Sequence, residues 1–391
     1  MFSIIINTKM ISTADSLNDY RFHSTTPMNV KDSYGEYDVL DFTLSAPMRK
    51  LVGGSVKLLF DVQVSNNTVL AKRCVYDGFS GLHGVIDSLN VSTALQGQIE
   101  SIRMYQRMVA CTARASMAKE DMFNSPMVAE GRCPDAIVSG DLLRGFVPFN
   151  FQAQPYDGDA TTPLDTCLKL QCCLNSLVGD NMLPFAKTGD VVLSLALSRS
   201  ISWLWGNPDI GGAQTYSITN VKLLFNTVAD DGKYAKQYVM KVKSDYKQSI
   251  NSQFSSLSSS VPLVCDSFYL NVIRGDQESN SAYNSLECQV LPGVSRVSYL
   301  FNDSFSEAIT YELDNQVDFI SNFVKAVKGT TSGDSDTTLV SQSGNDCWGL
   351  GLSFGKYINL ATTKFSIQIE SEVNSGLPYV AYVHFNGIMT I

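Results

Sequence analysis

Alternation of apolar and polar residues with period two recurs from one end of this chain to the other, and it constrains the fold more than any other feature. Ser55–Val64 sets Val56, Leu58, Phe60, Val62 and Val64 on one face of an extended segment. Val191–Leu197 does the same with Val191, Leu193, Leu195 and Leu197, and Leu40, Phe42 and Leu44 repeat the pattern nearer the start. Successive side chains of a strand point to opposite faces, so such segments fold as half-buried strands. Similar runs follow at Cys167–Leu174, Tyr216–Thr227, Phe268–Ile273, Val294–Leu300, Phe365–Ile369 and Tyr379–Phe385. Gly53-Gly54, Asn66-Asn67, Asp77-Gly78, Asn207-Pro208, Gly211-Gly212, Asp231-Gly232 and Leu291-Pro292-Gly293 punctuate them as turns. Many short strands between such turns predict an all-β sandwich or barrel class.

Helical periodicity is confined to a few segments. Gly97–Ala118 carries Ile99, Ile102, Tyr105, Val109 and Ala113 at three- and four-residue steps, and Ser306–Val327 carries Ile309, Leu313, Val317, Ile320 and Val324 in the same way. Gly232–Phe254, polar and rich in Tyr and Lys, is a third candidate helix. Ser249–Ser260 and Thr330–Asp346 hold few apolar residues and read as exposed loops.

The elements recur in order. A turn at Asp77–Gly81, the strand Gly84–Ser92 and the helix from Gly97 correspond to Leu291–Gly293, Val294–Leu300 and the helix from Ser306. Pro184–Lys187 before Val191–Leu197 corresponds to Phe354–Tyr357 before Phe365–Ile369. Two tandem copies of one β fold explain the recurrence, joined near Gly206–Gly212. The chain of 391 residues then holds an N-terminal arm (1–34), a first unit (35–208) and a second (209–391), each unit of ordinary domain size.

Composition narrows the function. Only 17% of residues are charged, against about 25% in an ordinary soluble domain, so Ser, Thr, Asn and Gln carry the polarity. The net charge of −9 and the absence of a basic arm argue against binding nucleic acid by counterion release. The opening MFSIIINTKM has no basic residues before its short apolar run and makes a poor secretion signal. Nothing approaches the roughly 20 apolar residues of a membrane-spanning helix. The nine cysteines are odd in number and scattered, and read as free thiols.

No catalytic constellation emerges. Gly351-Leu352-Ser353-Phe354-Gly355 matches the hydrolase elbow G-x-S-x-G, and Glu370 and His384 follow in hydrolase order. The elbow needs a helix after the serine, whereas Trp348, Leu350, Leu352 and Phe354 alternate as a Gly-rich strand. His23, His83 and His384 lack partners at metal-ligand spacing, and Cys172 and Cys173 fall on opposite faces of the expected strand. Asp38 and Asp41 could pair as in glycosidases, a coincidence expected among 38 acids. No catalytic, cofactor-binding or metal-ligating residue is assigned and no cofactor is expected. Ile201, Trp203, Leu204 and Trp205, just before the expected joint, read as an apolar seam between domains or subunits.

With these segments in order, the chain resembles the double jelly-roll major capsid proteins of icosahedral DNA viruses. The likeness spans roughly residues 35–391 and rests on FTLSAPMRKLVGGSVKLLFDVQV, SGLHGVIDSLNVSTALQGQIESIRMYQRMV and NMLPFAKTGDVVLSLALS in the first unit. In the second it rests on YSITNVKLLFNTVADD, as the opening of that unit, and on LPGVSRVSYLFND. The resemblance implies two eight-stranded jelly rolls with a few flanking helices. It further implies homotrimers that act as pseudo-hexameric capsomers in an icosahedral virion shell assembled inside the host cell. The partners would be further copies, neighbouring capsomers, penton and minor capsid proteins and, in shells that enclose one, an internal membrane, with no specific nucleic-acid binding. The N-terminal arm would then lie outside both rolls. The competing readings are a carbohydrate-binding or hydrolytic tandem β-sandwich and a minor capsid protein.

Overall fold

The structure is a computed structural model. It describes residues 19–64, 75–116, 129–132, 146–148, 164–177, 182–205, 215–234, 239–250, 254–259, 264–278, 280, 286, 294–301, 304–312, 316–328, 350–359, 365–371 and 379–390. In chain order the first strands are β1 (Arg21–Thr25), β2 (Val39–Leu44), β3 (Arg49–Leu51), β4 (Lys57–Val64), β5 (Val75–Asp77), β6 (Ile86–Thr93) and β7 (Gly97–Ile102), followed by helix α1 (Tyr105–Ser116). Then come β8 (Phe146–Pro148), β9 (Leu164–Lys169), β10 (Leu183–Pro184), β11 (Val191–Leu197), β12 (Leu204–Trp205) and β13 (Tyr216–Ala229). The later elements are β14 (Val239–Ile250), β15 (Phe254–Ser259), β16 (Val264–Arg274), β17 (Val294–Phe301), β18 (Ser304–Glu312), helix α2 (Gln316–Lys328), β19 (Leu350–Asn359), β20 (Phe365–Ser371) and β21 (Tyr379–Thr390).

The alternation read from the sequence is realised as inward and outward faces. Along β4 and β11 every second side chain is buried, and each fully buried Val, Leu or Phe stabilises the fold by about 1.5–3 kcal/mol. Among the described residues two large apolar cores result. One gathers Leu40, Phe42, Phe60, Leu89, Leu193 and Leu223; the other gathers Phe268, Leu270, Val297, Tyr299, Ile367 and Phe385.

The strand order around the two cores is the same. The first core lies between β1-β13-β4-β9, with β3 also on β13, and β2-β11-β6-β7, the second between β14-β21-β16-β19 and β15-β20-β17-β18. Within each half a hairpin leads directly into a helix: β6–β7 into α1, and β17–β18 into α2. The duplication inferred from the sequence is therefore a duplication of topology. The halves join where β7 and β14 meet in parallel at Ser101 and Ser244, so one sheet from each half merges into a continuous sheet of eight strands.

Several expectations are corrected. Gly97–Ile102 and Ser304–Glu312 are strands, and only the later parts of the two expected helices are helical. Gly97 has φ +73°, a left-handed turn residue that closes the β6–β7 hairpin and forbids a helix start there. The candidate helix Gly232–Phe254 contains β14, which pairs with β21 over twelve residues, and the expected loop Ser249–Ser260 contains β15. Pairing with a partner distant in sequence outweighs weak local preference in both. Cys172 and Cys173 leave the expected strand at a 3-10 turn, where both are buried.

The described part of the expected arm, residues 19–34, is joined to the first half: β1 pairs with β13, and Tyr34 bridges to Ile218. Tyr216–Ala229, expected to open the second unit, pairs instead with β4 of the first half at Tyr216↔Val64 and with β3 at Thr227↔Leu51. It holds the place in the first half that β21 holds in the second. The loop Thr330–Asp346 and the joint Gly206–Gly212 lie outside the described residues.

Candidate functional site

The seam between the halves is built by the two helices. Phe323 and Ala326 of α2 belong to the same apolar cluster as the first-half core. Phe323 also meets Tyr269 of β16 edge to face, with ring centroids 6.4 Å apart. The Ala326 carbonyl accepts hydrogen bonds from the Ser267 hydroxyl at 2.7 Å and the Asn386 amide at 3.0 Å. From the first half, Cys111 of α1 donates its thiol proton to Asn271 of β16 at 3.2 Å. The buried Arg107 guanidinium lies 5.0 Å over the ring of Tyr382 on β21, a cation–π contact that also stacks the halves.

Gly351 is part of this joint. A Cβ there would sit 2.7 Å from the Ala326 Cβ and 3.2 Å from the Phe323 Cα, so the glycine lets α2 lie directly on β19. That is the physical reason for the first glycine of the elbow-like motif. Ser353 itself lies within β19, opposite Ser267 on β16, whereas His384 lies on β21 opposite Tyr269. Two strand spacings and a two-residue offset put them on the order of 10 Å apart, beyond hydrogen-bond reach. Glu370 is on β20 in another sheet, 3.5 Å from Arg296. The three groups are not brought together, and no helix follows the serine in β19. Asp38 and Asp41 are likewise separate: Asp38 pairs with Lys31 at 2.6 Å, which holds its carboxyl below the usual range, while Asp41 accepts from Ser194.

Beside the seam an open cleft of about 460 Å³ is lined by Asp87, Arg103, Arg199, Glu278 and Tyr382. Its two arginines balance its two carboxylates. Glu278 accepts the Tyr382 hydroxyl proton, and Asp87 accepts from Gln106. Sequence reading missed this cleft, because its residues come from five separate segments with no common motif.

The apolar cluster picked out in the sequence is distributed unevenly. Trp203 and Leu204 are fully buried inside the chain, so no subunit contact is needed to cover them. Trp203 is enclosed by Tyr76 at 6.4 Å, by Tyr216 edge-on at 5.2 Å, and by Gly84, where a Cβ would come within 3.0 Å. Ile201 is half-buried, and Trp205 pairs along the backbone with Val75. Trp203 and Leu204 belong to the first core, because β12 folds inward against β5.

A buried polar network braces the same half. The Gln171 amide donates to the Tyr105 hydroxyl at 2.8 Å, and that hydroxyl lies 3.1 Å from His83 Nδ1. His83 Nε2 lies 3.4 Å from Glu130, which Arg132 approaches to 3.2 Å. Burial lowers the His83 pKa against the opposing pull of Glu130, so the ring is neutral near pH 7. Burial raises the Glu130 pKa, but His83, Arg132 and the Lys169 amide together bring it below its ordinary value. Of the five described cysteines, four are buried; burial pushes Cys265 up to about 12.

No protein-family model matches this sequence, and no curated protein does. Solved structures match over nearly the full length. The Faustovirus major capsid protein superposes with a TM-score of 0.60 at 10% identity, covering 100% of this chain and 93% of that one. The capsid of the virus PBCV-1 gives 0.57 at 9% identity, covering 98% and 97%. This chain has the double jelly-roll fold. A second PBCV-1 capsid structure, fitted into the virophage Sputnik, agrees at 0.56 and 10% identity. The paired cores, the matching strand orders and the hairpin–helix units of the double jelly roll are the features described above. At this identity the likeness lies in the fold and not in shared side chains.

Proposed function

We propose that this protein is a major capsid protein, whose homotrimers serve as pseudo-hexameric capsomers of an icosahedral virion shell. The observation that carries the reading is the end-to-end likeness to capsid double jelly rolls, with no large region left over in either chain. Two similar rolls per copy give six similar domains around a threefold axis, which suits a threefold molecule to a sixfold position. The low charge content favours broad subunit contacts without strong repulsion. The rolls divide between Ala229 and Val239, since β13 completes the first sheet pair and β14 opens the second. The seam acts as the rigid joint that fixes the two rolls, and the protein's work is done by buried area and not by a reacting group. Neighbouring capsomers, penton and minor capsid proteins, and a membrane in shells that have one, are the partners this role implies.

Native mass spectrometry of the purified chain, with electron microscopy of the same sample, tests the reading. The expected species has about 128 kDa, three times the 42.8 kDa of one chain, and a hexagonal outline. A monomer that persists at micromolar concentration overturns it.

A further inference from the structure

We propose that the surface built by residues 20–48 is the face by which one copy docks on a second copy of this chain; this rests on the capsid reading. Among the described residues, seven of the ten large hydrophobics that stand exposed fall in this one stretch: Tyr20, Phe22, Met28, Val30, Tyr37, Val39 and Met48. The stretch forms one surface. Met28 donates its backbone amide to Asp41 at 2.7 Å, and Thr43 meets the Met28 sulfur at 3.1 Å, so Met28 and Val30 run along β2, the edge of the eight-stranded sheet. Tyr20 and Phe22 meet edge to face with ring centroids 5.5 Å apart, and Met48 is tied to the same end of β13 through the Asp230 amide.

Two turn residues make the case sharper. Tyr37 and Met48 are non-glycine residues at φ +66° and +60°, a region that favours Gly or Asn. Their side chains are 67% and 82% exposed, so within one chain they gain little from burial. A strained turn that presents a large apolar side chain to water is a cost with no return inside the monomer, and a partner supplies the return.

The area agrees with a second copy as that partner. Phe22, Met28, Val30, Tyr37 and Met48, each 63–82% exposed, present on the order of 700 Å² of apolar surface. Counted with their backbone, these residues approach the roughly 800 Å² each partner contributes to a standard interface. Lys31 and Arg49 lie among Asp32, Glu36 and Asp38 on the same stretch, so the face presents no block of like charge to the neighbouring copy.

The test compares the full chain with the variants Tyr37→Asn/Met48→Asn and Phe22→Ser, and with Leu95→Asn as an exposed control outside the surface. Sedimentation and native mass spectrometry over a dilution series read the dissociation constant of the oligomer. The double variant and Phe22→Ser should each raise it at least tenfold, and Leu95→Asn should leave it within twofold. Because Asn tolerates the left-handed region, the dissociated double variant should melt no lower than the dissociated parent, which separates docking from folding. If the parent forms trimers and neither variant weakens them, or if Leu95→Asn weakens them equally, this inference fails and the capsid reading stands. If the parent is a monomer, both fail.

Discussion

Replacing Trp203 by alanine distinguishes a core residue from a subunit contact. Trp203 is the largest fully enclosed side chain among the described residues. Burying roughly 200 Å² of indole at about 25 cal/mol per Å² corresponds to about 5 kcal/mol. That transfer figure is an upper bound, because unfolded chains already bury part of this surface. Large-to-small aromatic truncations cost about 3–5 kcal/mol, and the loss of the edge-on contact with Tyr216 falls within that range. We therefore expect about 4 kcal/mol. For a roll of about 200 residues, each kcal/mol moves the melting point by about 2–4 °C, so Trp203→Ala should lower the melting of the first roll by about 8–16 °C. Scanning calorimetry on dilute, dissociated protein reads this directly, with Trp203→Phe as an intermediate. A variant that melts like the parent but dissociates more readily would refute the burial and return Trp203 to a subunit seam.

Gly351→Ala should force α2 away from β19 and cost about 1–3 kcal/mol, seen as a lower urea midpoint. Ser353→Ala, two residues along, should stay within about 0.5 kcal/mol and leave any hydrolysis of a small ester unchanged. The lowered His83 pKa means that the unfolded chain binds more protons than the folded one below about pH 6.5. Stability should therefore fall as pH drops through that window, and His83→Gln should flatten this slope in urea titrations; an unchanged slope would exclude His83 as its source. Glu130, with its folded pKa lowered, adds a further loss at more acidic pH, below the ordinary carboxylate range. Removing residues 1–25 takes away β1, including the stack of His23 on Phe225 at 4.8 Å and its bond to Thr227 at 2.8 Å. Compared with removal of 1–18 alone, it should cost about 1–3 kcal/mol by thermal melting.

Strand-by-strand, the local code of this chain is legible because period two needs only nearest neighbours. Val56 to Val64 and Val191 to Leu197 declare their buried faces without reference to anything distant, and the strand-rich fold class follows from their number. The duplication was legible too, since each half repeats a hairpin followed by a helix. What three-dimensional pairing alone decided is which strands belong together. Tyr216–Ala229 alternates equally well as a first or a last strand, and only its hydrogen bonds to β3 and β4 make it the closing strand of the first roll. In β14 the polar Lys, Ser, Asp and Gln outnumber Val239, Met240, Val242, Tyr246 and Ile250, and twelve residues of pairing with β21 make it a strand. The inward turn of Trp203, the Gly351 contact beneath α2 and the exposed Tyr37 and Met48 depend in the same way on neighbours far away in sequence. Periodicity reports which side of a segment avoids water; packing between distant segments determines what that side meets.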